Sequence, residues 1–336
     1  MPKRLGRQTI ALDEGAVILS HAAVGGKLEG EGPLSRYFDH LSDDSFFGEN
    51  SWEKAESAMQ KTALNLALKK GGLTAQNIDY VLAGDLLNQC IGTSFGLREF
   101  SVPFYGLYGA CSTMGESLAL ASMLVSGGFA ERAAAMTSSH YCTAERQYRM
   151  PVPYGSQRTP TAQWTATASG CAIVGKGEHG CAVTAVTCGK IVDKGIKDAN
   201  NMGAAMAPAA YDSLRAHLDA TATAPSDYDL IFTGDLGVLG HEIVMDFFRS
   251  DGVEPGDRYL DCGMLLFDIG KQDMHAGASG CGCAASVLCG YILREMQSGK
   301  WKKILFAPTG ALLSPTSSFQ GESIPGICHA MTIEMI

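Results

Sequence analysis

Cys111 stands between a strand-like run, Pro103-Phe104-Tyr105-Gly106-Leu107, and a segment whose apolar positions Leu118, Leu120, Ala121 and Leu124 suit a helix. A helix entrance carries unpaired backbone N–H groups and a positive partial charge, so a thiolate or a bound carboxylate placed there is stabilised. Two chemistries fit that position: nucleophilic attack by the thiol, or reception of an acidic ligand. A third reading needs no chemistry, because a strand and a helix that approach closely also call for a small residue. Asp85 and Asp235 each close an apolar run in Gly-Asp-Leu. Each is read either as a carboxyl at the end of a strand, facing a ligand, or as ordinary turn chemistry facing solvent.

The elements that would position these residues occur twice. Ile78-Asp79-Tyr80-Val81-Leu82-Ala83-Gly84-Asp85-Leu86 aligns without gaps on Tyr228-Asp229-Leu230-Ile231-Phe232-Thr233-Gly234-Asp235-Leu236, 150 residues later. Downstream of each, a small-residue cluster opens a helix, which runs into Ser-Gly and another strand. The first copy has the cluster at 109–115 and the strand at 133–137; the second has them at 280–286 and 303–307. Short Val, Ile and Leu-rich runs alternating with helical segments predict an α/β fold whose sheet is buried on both faces. The chain therefore reads as a duplicated α/β unit with halves 1–178 and 179–336. Ligands in α/β folds bind at the carboxyl ends of strands, and a two-fold repeat brings two such ends together.

Composition narrows the partners. With 46% hydrophobic and 18% charged residues the chain is globular with extensive burial, and its 11 cysteines, an odd number set in apolar runs, predict reduced thiols used as small core residues in a reducing compartment. A net charge of −9 without a long basic block argues against nucleic acid and against attraction to an anionic lipid surface. No signal-peptide pattern opens the chain and no apolar run approaches about 18 residues, so the expectation is a cytoplasmic protein without membrane insertion, reaching a membrane only through a protein partner. His241-Glu242 begins like a zinc-protease helix but has Met245 where the second histidine belongs. Cys262, Cys281, Cys283 and Cys289 are too irregularly spaced for structural zinc, so neither a metal site nor a cofactor is expected.

Gly109-Ala110-Cys111-Ser112-Thr113-Met114-Gly115 resembles the nucleophile segment of thiolases and ketoacyl synthases, and Gly282-Cys283-Ala284-Ala285-Ser286-Val287 resembles the matching segment of their second half. Ala307-Pro308-Thr309-Gly310-Ala311 looks like their glycine-containing loop after the last strand. The resemblance implies a thiolase-like duplicated αβ fold, layered α-β-α-β-α with two pseudo-two-fold-related halves, and a homodimer by default. It also exposes two departures. Where the synthases carry a histidine after the strand matching 230–233, this chain has Gly234-Asp235. Where they carry an asparagine or second histidine before Ala-Ala-Ser, it has Cys281. Base and oxyanion partners are typically worth about 100-fold or more each, so acyl condensation is not expected and no residue is assigned a catalytic role.

A closer resemblance covers the whole chain. The opening at 15–25, the stretches 39–48, 83–89, 138–141, 147–154 and 160–170, and the ending Gly321-Glu322-Ser323-Ile324-Pro325-Gly326-Ile327 together resemble the stage V sporulation protein AD family, a non-catalytic branch of that fold. What this implies is binding of dipicolinic acid (pyridine-2,6-dicarboxylate) and a part in its uptake into the developing spore, alongside membrane proteins of the same operon on the spore inner membrane. If the halves pair as in thiolases, Asp85, Cys111, Asp235 and residues 279–283 converge on one cleft. Helix-entrance N–H groups, Asn88, Gln89, Ser112 and Ser279 would then supply hydrogen bonds, Gly310 would lie alongside, and His140 and His275 could touch the pocket. A dianion beside two aspartates is repelled unless burial protonates one or a calcium ion bridges them. The calcium bridge is the favoured expectation, because dipicolinate chelates calcium. Two other functions remain open: an acyltransferase using Cys111 with His140 or His275, and a scaffold whose pocket is empty.

Overall fold

The computed structural model describes residues 2–148 and 158–336, so part of the 147–154 stretch lies outside the described residues. Ten strands form the main path of the large sheet: β1 (Thr9–Gly25), β2 (Tyr80–Gly84), β3 (Phe104–Gly106), β4 (Arg132–Ser139), β5 (Ala168–Lys176), β6 (Cys181–Thr187), β7 (Leu230–Thr233), β8 (Tyr259–Asp261), β9 (Lys303–Ala307) and β10 (Ala330–Met335). Their spatial order is β8-β7-β9-β10-β6-β1-β5-β4-β2-β3. Read outward from the antiparallel β1–β6 seam, the two arms repeat each other in direction as well as order. Two antiparallel pairings (β1–β5–β4 and β6–β10–β9) are followed by two parallel ones (β4–β2–β3 and β9–β7–β8).

Both faces of each arm are buried, and the two-residue period of a strand shows which side chain serves which layer. Val81 and Ile231 face outward, whereas Leu82 and Phe232 face the layer between the arms. Helix α1 (Trp52–Lys70) covers the first outer face with Met59 and Leu64. Helix α2 (Thr113–Ser126) lies in the middle layer, and α3 (Met202–Thr221) covers the second outer face with Met206 and Leu214. Leu118 of α2 packs in one cluster with Leu288 and Ile292, which lie on a helical run that is α-helical at Cys281–Ser286 and Leu293–Gln297 and π-helical at Val287–Ile292 between them. Each large side chain buried there contributes roughly 1.5–3 kcal/mol. The middle helices sit close to the strands because the contact residues are small. A Cβ on Gly170 would collide with the Ala285 carbonyl, and one on Gly282 with that of Ala168. The Gly and Ala-rich clusters of the sequence are thus packing requirements, and they set the entrances of both middle helices at the carboxyl ends of β2, β4, β7 and β9.

Candidate functional site

Asp235 follows β7 after one glycine and is fully buried. Gly280, at φ 94, turns the chain so that its N–H donates to Asp235 Oδ2 at 2.8 Å, and the Thr309 hydroxyl donates to Oδ1 at 3.0 Å. The Cys111 thiol, 6% exposed, donates to the same carboxylate. Burial pushes the Asp235 carboxyl up to about 7, with Asp261 adding to the rise and the hydrogen bonds from Cys111, Gly280 and Thr309 opposing it. Burial also pushes the Cys111 thiol well above its ordinary value, reinforced by Asp235 and Cys281. A cysteine used as a nucleophile needs a lowered proton affinity. Here the carboxyl gives up its proton long before the thiol does, so Cys111 stays S–H.

Asp85 stands at the end of β2 and is held by three donors: Leu87 N–H to Oδ1 at 2.8 Å, Thr93 N–H to Oδ2 at 2.7 Å, and the Thr93 hydroxyl to Oδ2 at 2.5 Å. Glu56, on the buried face of α1, lies behind it and is raised to about 8 by burial and by Asp85. Between the two aspartates lies Cys281, whose thiol donates to the Ser138 carbonyl at 2.8 Å and on which Glu56, Asp85 and Asp235 all act. The Tyr148 phenol, donating to the Leu86 carbonyl at 2.5 Å, feels Cys111, Cys281, Asp85 and Glu56 together. Cys111, Asp235, Gly280 and Cys281 are thus brought together on one side, with Asp85 and Glu56 on the other.

The remaining expected residues are placed more unevenly. Ser112 is buried and donates to the Gly109 carbonyl at 2.7 Å, so its hydrogen is engaged locally. Gly310 lies where a Cβ would strike the Gly109 carbonyl, which makes it the wall behind the Cys111 turn. Ser279 is buried in a short parallel ladder with Thr165. Asn88 and Gln89 are solvent-exposed, Gln89 at φ 59. His140 is buried, with Nε2 at 2.8 Å from the Ser45 carbonyl, and burial lowers its proton affinity. His275 is half-buried and lies against Thr159 and Asp273. No hydrogen bond joins either histidine to Cys111 or Asp235 among the described residues. The expectation that helix-entrance N–H groups wait for a ligand needs correction at Gly280, whose N–H is engaged by Asp235. The solvent-facing turn reading of Asp235 is excluded by its burial.

Calcium is affected too. Every carboxylate oxygen of Asp85 and Asp235 already accepts a hydrogen bond, and among the described residues no group of three or more His, Cys, Asp or Glu could hold a metal ion. Burial raises both carboxyls and so favours the other resolution, a buried acid that keeps its proton. Glu56, Gln60, Thr93, Ser138, Thr143, Gln163 and Thr309 were not singled out in the sequence. The readable signal was Glu56 and Gln60, four apart on a helix face that otherwise buries Ala55, Met59 and Ala63.

The sequence model of the stage V sporulation protein AD family matches residues 6–334. The chain belongs to that family. It is 42% identical over 332 residues to stage V sporulation protein AD of Bacillus subtilis (strain 168), covering 99% of this chain and 98% of that one. Among solved structures it resembles 3-oxoacyl-[acyl-carrier-protein] synthase III from Aquifex aeolicus VF5 (TM-score 0.59, 12% identity, 95% of this chain and 100% of that one). Human mitochondrial 3-ketoacyl-CoA thiolase gives TM-score 0.59 at 11% identity over 97% and 100%, and OleA of Xanthomonas campestris gives 0.61 at 11% over 98% and 100%. These neighbours establish the thiolase-like fold for this member of the sporulation family.

Proposed function

We propose that this protein binds dipicolinic acid at the Cys111 face and takes part in its uptake into the developing spore, without turnover. The observation that carries the reading is the protonated character of the centre. The Cys111 thiol, pushed well above its ordinary value, keeps its hydrogen and can turn it from Asp235 to a ligand carboxylate, which suits reception of an acid better than nucleophilic attack. Any calcium then arrives with the ligand as its chelate. No helix among the described residues is long and apolar enough to cross a membrane; in this reading the uptake itself runs through membrane proteins of the same operon. Edge strand β3 supports pairing with a second copy: its three residues are exposed, Tyr105 at 55%, and Phe95 and Tyr108 outside it are 53% and 59% exposed.

Isothermal titration with dipicolinate, with and without a calcium chelator, tests the reading. Saturable binding in the chelator is expected; no binding in either condition contradicts it. The enzyme reading draws on Cys111 and on the enzymes among the structural neighbours. It predicts a covalent acyl adduct on Cys111 after incubation with acyl-CoA, detected by mass spectrometry.

A further inference from the structure

Gln60 is fully buried, and the two hydrogens of its Nε2 serve the Thr93 hydroxyl and the Ser138 hydroxyl, each at 2.8 Å, the Gly84 carbonyl lying farther off at 3.3 Å. An amide nitrogen only donates, so each hydroxyl must pass its own hydrogen onward. Thr93 gives its hydrogen to Asp85 Oδ2 at 2.5 Å, and Ser138 gives its hydrogen to Glu56 Oε1 at 2.9 Å. Two buried carboxyl groups are thereby joined through one glutamine.

The two ends differ. Every contact of Asp85 is a donor, which suits an ionised carboxylate. Glu56 Oε2 lies 2.6 Å from the Thr143 hydroxyl, and that hydroxyl also lies 2.9 Å from the His140 carbonyl, which can only accept. Thr143 has one hydrogen for two acceptors. The conflict disappears if Glu56 carries a proton on Oε2, donates it to Thr143, and Thr143 donates to His140.

We infer that Glu56 is the proton-holding residue of the ligand site: it stays neutral behind the ionised Asp85, and an incoming dicarboxylate binds together with a proton held by this pair. The inference rests on the dipicolinate reading above. The groups facing Glu56 are consistent with it. Asp85 and Glu53 act on it as negative charges, the Cys281 thiol and Tyr148 phenol face it neutral, and the Arg146 guanidinium is paired with Glu53 at 2.8 Å. His140 is held at the Ser45 carbonyl with its proton affinity lowered, so it brings no compensating charge.

The experiment is calorimetry of dipicolinate binding between pH 6.5 and 9.5, in buffer pairs of different ionisation enthalpy, on the wild type and on Glu56→Gln. Glutamine keeps a neutral side chain that accepts from Ser138 and donates to Thr143. Below about pH 8, the value to which Glu56 is raised, the wild type already carries this proton; above it, binding should take up a proton and the affinity should fall by up to tenfold per pH unit. Glu56→Gln should bind at neutral pH and lose most of that fall. Binding without proton uptake above about pH 8, or an unchanged profile in Glu56→Gln, overturns the inference while leaving dipicolinate binding intact. No binding at any pH removes both. A ligand-free check covers a variant that folds poorly: infrared spectra of the wild type should show a carbonyl band of a buried neutral carboxylic acid that is lost near pH 8, above the part that Asp235 and Glu29 lose near pH 7, and absence of that later loss overturns the assignment.

Discussion

Asp235 shows how one buried carboxyl can change the chemistry of a cysteine. Its folded value of about 7 lies above that of an unfolded aspartate, so the folded state retains a proton through the window from about 4 to 7. The sign follows directly: stability is fullest below that window and declines as pH rises through it, by up to about 4 kcal/mol for this residue. Glu29, buried and raised to about 7, adds to the same decline. Thermal melts should therefore show a midpoint that falls between pH 5 and pH 8, and Asp235→Asn should flatten part of that slope; a wild type that gains stability over the range would contradict the assignment. At pH 7 alkylation of Cys111 by iodoacetamide should be at least about tenfold slower than that of a free cysteine, because so little thiolate is present. Peptide mass spectrometry resolves it from the other thiols, and rapid labelling would argue for an activated nucleophile. At this scale the sequence showed the cysteine and both aspartates, because a helix entrance and a repeated Gly-Asp-Leu are local patterns. It did not show Thr93 or Thr143, since a threonine becomes a carboxyl group's partner only when distant segments bring it within 3 Å.

The elements were more legible than the contacts between them. The repeated run at 78–86 and 228–236 corresponds to β2 and β7, and the small-residue clusters open the two middle helices at the places the repeat implied. Less legible was the π-helical stretch Val287–Ile292, which has the same apolar composition as ordinary helix. Gly310 belongs to this scale because it couples two elements. Its added Cβ would strike the Gly109 carbonyl and lie 3.0 Å from the Ser112 N–H, so Gly310→Ala must push the Cys111 turn away. Denaturant unfolding should show a loss of about 1–3 kcal/mol, the usual range for overpacking, with weakened dipicolinate binding at pH 7. A variant of wild-type stability and affinity would show that the turn is not held by this wall.

The whole molecule is a two-armed sheet whose ends differ. The outermost strand of the second arm, β8, is largely covered, whereas β3 of the first arm presents exposed backbone and aromatic side chains. An uncharged open edge of that kind invites strand pairing, so light scattering should give a dimer mass for the wild type and a monomer for Tyr105→Glu. A monomeric wild type would leave β3 to some other partner. The sequence supplied the dimer only as a property of the resembled fold, because exposure at an edge depends on where the strand order ends.

The account's central claim is that a centre shaped like a reaction site serves as a receptor, and a crystal structure with dipicolinate tests it most directly. The predicted result places one ligand carboxylate within hydrogen-bonding distance of Cys111 or Asp235, with the Cys111 sulfur unmodified. Dipicolinate seated elsewhere, with the Cys111 surroundings unchanged, would contradict the account.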